Sequence, residues 1–192
     1  MEQAYHFTPD DEEKVGQWIE LGQSNQAWEW FQSISSGESA NCRIGRSIAA
    51  RLLNIRGACR QSDLLHLRNY REFPQDPRAQ FNGLFRVHER FGPWKVLSKL
   101  NHYLASQDKP EEKPEYADLY SYLADIYSTY RDFDRAWHYQ NIAESLAPDS
   151  CWIRMRRSSI YSTDDNHEQA IAEAEGALAM RPAYRAPPAM LA

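Results

Sequence analysis

The chain has 192 residues, with 22 Lys and Arg against 27 Asp and Glu for a net charge of −5, and its 42% hydrophobic content is too high for a disordered chain. No stretch approaches the roughly 18 consecutive apolar residues of a membrane span, and no apolar signal-peptide region follows Met1. Three cysteines, at 42, 59 and 151, form neither an even disulfide set nor a C-x-x-C pair, which points to reduced thiols in a cytoplasmic protein.

Thr8-Pro9-Asp10-Asp11 predicts a helix start: threonine caps, proline fits the first turn, and acids suit the N-terminal dipole. Val15, Trp18 and Ile19 then form an apolar stripe ending at Gly22, and Ala27, Trp28, Phe31 and Ile34 form the next. Ile48, Leu52, Leu53 and Ile55 recur before Gly57; Leu64, Leu65, Leu67 and Tyr70 follow and stop near Phe73-Pro74. Phe81, Leu84, Phe85 and His88 precede Gly92-Pro93, and Trp94, Leu97, Leu100 and Leu104 come after it. Spacings of three and four place each set on one helix face. No alternating β-branched run appears, and the segment 107–115, rich in Pro, Glu and Lys, reads as a loop.

The net charge hides a pattern along the chain. Residues 1–40 carry −7, residues 41–90 carry +6 with ten arginines, and residues 91–192 carry −4. Flanking blocks of opposite sign imply mutual balance rather than a dedicated nucleic-acid surface.

The helices come in pairs, and the pairs repeat. Tyr127 and Tyr161, Ala136 and Ala170, Ala143 and Ala177, and Pro148 and Pro182 are each 34 apart. Upstream, Gly22, Gly57 and Gly92 are 35 apart, each between two predicted helices, where a positive φ is useful. Val15, Ala50 and Phe85 keep that spacing, and Ala124 and Ser158 extend it after 39 and 34 residues, the 39 reflecting an insertion within 107–115. The periods predict an all-α chain of five helical hairpins near 10–36, 43–72, 78–106, 116–147 and 150–181, the second being the least regular.

Tyr120, Leu123-Ala124, Tyr127, Phe133, Ala136, Ala143, Leu146 and Pro148 together resemble a tetratricopeptide repeat (TPR). The following unit keeps Tyr161, Ala170, Ala177 and Pro182 but carries Arg157-Ser158 and His167 at other motif positions. The resemblance is strong over 117–182 and held upstream only by glycine spacing and apolar stripes. It implies an α-solenoid in which antiparallel hairpins stack into a right-handed superhelix, small alanines letting backbones approach closely. Residues 1–192 then form a single helical-repeat domain: degenerate hairpins over 10–106, clear units over 116–182, and the start of a further unit over 183–192. Lacking a polar capping helix, that end suggests either a fragment of a longer chain or an end that self-associates.

The resemblance also implies that the first helix of each pair lines the binding groove. By register the groove takes Asn82 and Arg86 from the third hairpin, Tyr122 and Asp125 from the fourth, and Trp152, Met155 and Arg156 from the fifth. One subgroup of the family clamps C-terminal carboxylates with Lys, Asn and Arg; only Arg156 matches it here. Arginine and aromatic anchors suit a peptide or helix of a partner protein.

No H-E-x-x-H, phosphate-binding glycine loop or G-x-S-x-G occurs. Cys42 with His66 or His88 is a weak nucleophile pair, Asp164-Asp165 with Glu168 lacks calcium-loop spacing, and His88 and His138 suit packing or surface better than metal. No cofactor or metal is implied, and no enzyme. The expected function is a protein-interaction scaffold. The alternative is an N-terminal regulatory or substrate-recruiting arm of a larger enzyme such as a peptidase, and RNA binding through the 41–90 arginines is held in reserve.

Overall fold

The computed structural model describes residues 5–35 and 39–180. Pro182, the further unit expected over 183–192 and the association expected of that end lie outside the described residues. Among the described residues there are ten α-helices and no strand. They pair as α1 (Pro9–Glu20) with α2 (Ser24–Ile34), α3 (Arg43–Ile55) with α4 (Cys59–Glu72), α5 (Pro77–Phe91) with α6 (Pro93–Ala105), α7 (Ala117–Thr129) with α8 (Phe133–Leu146), and α9 (Cys151–Thr163) with α10 (His167–Met180). These are the five hairpins expected from the periods. The segment 107–115 contains short 3-10 turns rather than open coil. The chain forms two compact units, residues 1–86 and 87–192, whose division falls within α5.

In the first unit, Thr8 is extended and its backbone N–H donates to the Asp11 carboxylate at 2.8 Å, satisfying a donor at the start of α1. Val15, Ala27, Phe31, Ile48 and Leu52 are buried with Phe7, and Trp18, Trp28 and Trp30 pack against them. Trp18 and Trp30 meet edge-on at 5.5 Å, and the Lys14 ammonium sits 4.7 Å from the Trp18 ring centre. The expected stripe of α4 fails at Leu64, which is 59% exposed; Leu65, Leu67 and Tyr70 are half-buried, and the fully packed side of the helix carries Ser62, His66 and Asn69. A polar network holds that side. Asn69 donates to the Arg43 carbonyl at 2.9 Å and accepts from Arg46, which also pairs with Glu72. Ile55, at 46% exposed, likewise leaves the core. Gly83 in α5 lies against Tyr70 of α4, and a Cβ there would meet the Tyr70 Cβ at 2.3 Å. Only glycine permits that approach.

In the second unit α7 is central and buried on nearly every side; it packs against α6, α8 and α9. Ala124, Ala136, Ala143, Ala170 and Ala177 are all buried, as the repeat pattern requires of its small positions. Tyr127 stacks on Tyr139 of α8 at 5.5 Å, and Tyr161 packs against Trp137 at 4.5 Å. Gln140 is fully buried and donates to the Ile153 carbonyl at 3.0 Å, tying α8 to α9. Ser158, where the repeat wants a small residue, donates to the Ala170 carbonyl at 2.7 Å. Trp94 departs from its expected stripe and is 72% exposed; Val96 and Tyr103 are buried in α6 instead.

Candidate functional site

The second unit gathers a charged and aromatic cluster from α5, α7 and α9. Asp125 accepts from Arg156 at 2.6 Å, and Ser159 lies 3.4 Å from the other carboxylate oxygen. The Arg156 guanidinium covers the Trp152 ring at 4.6 Å. His88 Nδ1 lies 2.7 Å from the Tyr122 hydroxyl, with the rings stacked. Burial lowers the His88 pKa, partly opposed by the Asp125 charge.

The first unit holds a polar pocket of about 240 Å³ lined by residues of α1, α3, α4 and α5, among them Glu12, Ser47, Arg51, His66, Asn82 and Arg86. Burial first, then the Arg86 charge, push the His66 pKa down to about 4, and Arg78 and Arg51 act in the same sense. Arg86 pairs with Asp63 at 3.4 Å. Elsewhere in the basic block, Arg43 pairs with Asp76 and Glu12, and Arg68 with Glu72.

Among the described residues no group of three or more His, Cys, Asp or Glu side chains could hold a metal ion. Cys42 is exposed and caps α3, its sulfur accepting from the Gly45 N–H at 3.3 Å. No helix among the described residues is long and apolar enough to cross a membrane.

No protein-family model and no curated protein matches the chain. Solved structures do. One of MamA, recorded as MamA AMB-1, aligns with a TM-score of 0.50 at 14% identity, covering 91% of this chain and 99% of that one. A second crystal structure of MamA gives 0.50 at 12% identity over 93% and 97% of the two chains. MamA is a TPR-containing protein. The chain has a TPR-like fold. Its class is the all-α helical repeat of the TPR-like α-solenoids.

The TPR-like register sorts the expected groove residues into two sets. Ile48, Gly83, Tyr122 and Arg156 are equivalent, at steps of 35, 39 and 34, and all four are buried. This column packs helices, so Tyr122, fully buried, and Arg156, 5% exposed, are supports rather than open contact surface. Met155 is 3% exposed and packs with Cys151 and Ala177. Arg51, Arg86, Asp125 and Ser159 are equivalent at the same steps, and each is half-buried. Asn82 and Trp152 are half-buried too. Asn82 and Arg86 thus share the first-unit pocket, while Asp125, Trp152, Met155 and Arg156 lie on α7 and α9 of the second. Arg51 was the residue missed that the spacing could have found, one period before Arg86. His66 carries no such signal, because its burial follows from the rotation of α4.

Proposed function

We propose that the protein is a non-catalytic interaction scaffold that binds an extended peptide or a helix of a partner protein along the first helices of its hairpins. One observation supports this most: the same register position on α3, α5, α7 and α9 carries Arg51, Arg86, Asp125 and Ser159, each polar and each half-exposed. Core positions of a repeat are satisfied by its neighbours, whereas a recurring polar position left part-exposed is suited to contacting a bound segment within each compact unit, through Arg51 and Arg86 in the first and Asp125 and Ser159 in the second. Trp152 adds a half-buried aromatic surface on α9 of the second unit, and Asn82 adds a half-buried amide on α5 of the first. Aromatic and arginine side chains commonly dominate such contacts.

Panning a displayed peptide library against the full chain tests the reading. Enriched peptides should bind the wild type and lose about tenfold or more in affinity to Trp152→Ala and to Arg86→Ala, at unchanged helicity by circular dichroism. Peptides that bind both variants as well as wild type would reject this face.

A further inference from the structure

The outer face of α6 differs from the rest of the surface. Residues 90–107 carry Arg90, Lys95 and Lys99 and no Asp or Glu, in a chain whose net charge is −5. Val96, Leu100, Tyr103 and Leu104 of α6 are buried, and positions 94, 95, 98, 99 and 102, all exposed, share the opposite side of the helix. Neither Lys95 nor Lys99 has an ion-pair partner among the described residues. The exposed side of α10, a second helix of the same unit, carries Glu168 and Glu175 instead. Two aromatic residues flank the turn that leads into α6: Phe91 is 60% exposed and Trp94 is 72% exposed. The Arg90 guanidinium lies 5.4 Å from the Phe91 ring centre, whereas no ring or cation covers Trp94 among the described residues. Packing does not need this arrangement, because the other side of α6 already supplies its share of the core.

We propose that the outer face of α6 docks on an anionic phospholipid surface, with Lys95 and Lys99 over the headgroups and Trp94 in the interfacial layer. A negatively charged leaflet attracts a local basic face even on a chain of net negative charge, because the attraction acts within a Debye length. Tryptophan suits that layer, its ring being apolar and its N–H a donor. The choice of cation also fits. The chain has 17 arginines and five lysines, yet this face carries two of the lysines. A guanidinium matches a fixed, bidentate partner, whereas a hydrated ammonium on a flexible stem follows headgroups that move sideways. A single nucleic-acid strand suits the face less. Base stacking needs successive open ring faces, and Arg90 lies over Phe91, leaving Trp94 by itself. The contact is peripheral, since the apolar side of α6 stays in the fold. It does not rest on the scaffold reading, which uses the first helices of the hairpins.

Co-sedimentation of the full chain with vesicles tests it, using phosphatidylcholine alone and phosphatidylcholine with about one-third phosphatidylserine. At low salt the chain is expected to bind the phosphatidylserine vesicles about tenfold or more tighter than the neutral ones, and to be released as salt rises. Lys95→Gln together with Lys99→Gln should weaken that binding by about tenfold or more, and Trp94→Ala by about threefold or more. All three side chains are exposed, so helicity by circular dichroism should not change. Lys109→Gln together with Lys113→Gln removes the same charge elsewhere in the unit and should leave binding near the wild-type value. No binding to phosphatidylserine vesicles overturns the proposal, as does binding unchanged in the folded Lys95, Lys99 and Trp94 variants. An equal loss in the Lys109 and Lys113 variant overturns the face, because net charge would then be the cause. A ten-nucleotide oligothymidylate bound tighter than the vesicles through Lys95 and Lys99 overturns lipid in favour of nucleic acid. Vesicle binding by a chain for which no displayed peptide is enriched supports this face while rejecting the scaffold.

Discussion

Arg131 and Asp165, 34 residues apart, both hold left-handed backbone conformations, at φ 58° and 61°, and their side chains meet at 3.0 Å. They occupy the turn position that Gly22, Gly57 and Gly92 fill upstream at φ 75° to 80°. The steps from 22 to 165 are 35, 35, 39 and 34, so one turn recurs through all five hairpins. Where glycine is missing, the backbone keeps the conformation at a cost of about 1–2 kcal/mol per residue.

Arg131→Gly and Asp165→Gly are therefore expected to stabilise the chain, each by up to about 1 kcal/mol, since glycine reaches this conformation freely but loses more entropy on folding. The ion pair lost is exposed and contributes little. Thermal unfolding should show a raised Tm in both variants; a lowered Tm would mean that the pair matters more than the turn.

Gly83→Ala should act in the opposite direction. Its new methyl would stand 2.3 Å from the Tyr70 Cβ, an atom close to the backbone that cannot swing aside. Overpacking of this kind costs about 1–3 kcal/mol, measurable as a lower urea midpoint. An unchanged midpoint would show that α4 and α5 can separate freely.

Tyr122→Ala and Trp152→Ala separate support from surface. Tyr122 is fully buried, so truncating it should cost about 3–5 kcal/mol of stability, as for other large aromatic deletions in cores. Trp152 is half-buried, and its removal should leave the fold largely intact while weakening peptide binding. Urea unfolding of the two variants side by side checks the contrast, and equal losses would remove it.

Acid should weaken the first unit through His66. Its folded pKa, near 4, lies below the ordinary 6.5, so the unfolded chain binds the proton more readily. Stability is full above pH 6.5, falls as pH drops from about 6.5 to 4, and levels off below; the total is on the order of 3 kcal/mol. His88, also lowered by burial, adds in the same direction. Unfolding free energies at pH 7 and pH 4.5 should differ less in His66→Asn than in the wild type. The same pH dependence in both would exclude His66 as its source.

Hairpin boundaries, turn glycines and the small alanines were legible in the sequence because each follows from local backbone needs repeated at a fixed period. The α4 face was not, since its buried residues are Ser62, His66 and Asn69 and their burial depends on partners such as Arg43 and Arg46 elsewhere in the chain. A hydrophobic count favours Leu64, which the polar network turns outward. Trp94 fails for a related reason: at the start of α6, directly after Gly92-Pro93, its apolar character says nothing about the direction it faces. In the groove, residue type pointed to Tyr122 and Arg156, whereas comparison with Ile48 and Gly83 at the same register position marks their column as packing. Burial, not chemical type, divides the two columns.

Chemical-shift mapping of a bound, display-enriched peptide on the isotope-labelled chain tests the scaffold most directly. Shifts should concentrate on α3, α5, α7 and α9 around Arg51, Asn82, Arg86, Asp125, Trp152 and Ser159. Shifts confined to the second helices of the hairpins, α4, α6, α8 and α10, would contradict a binding face built from the first.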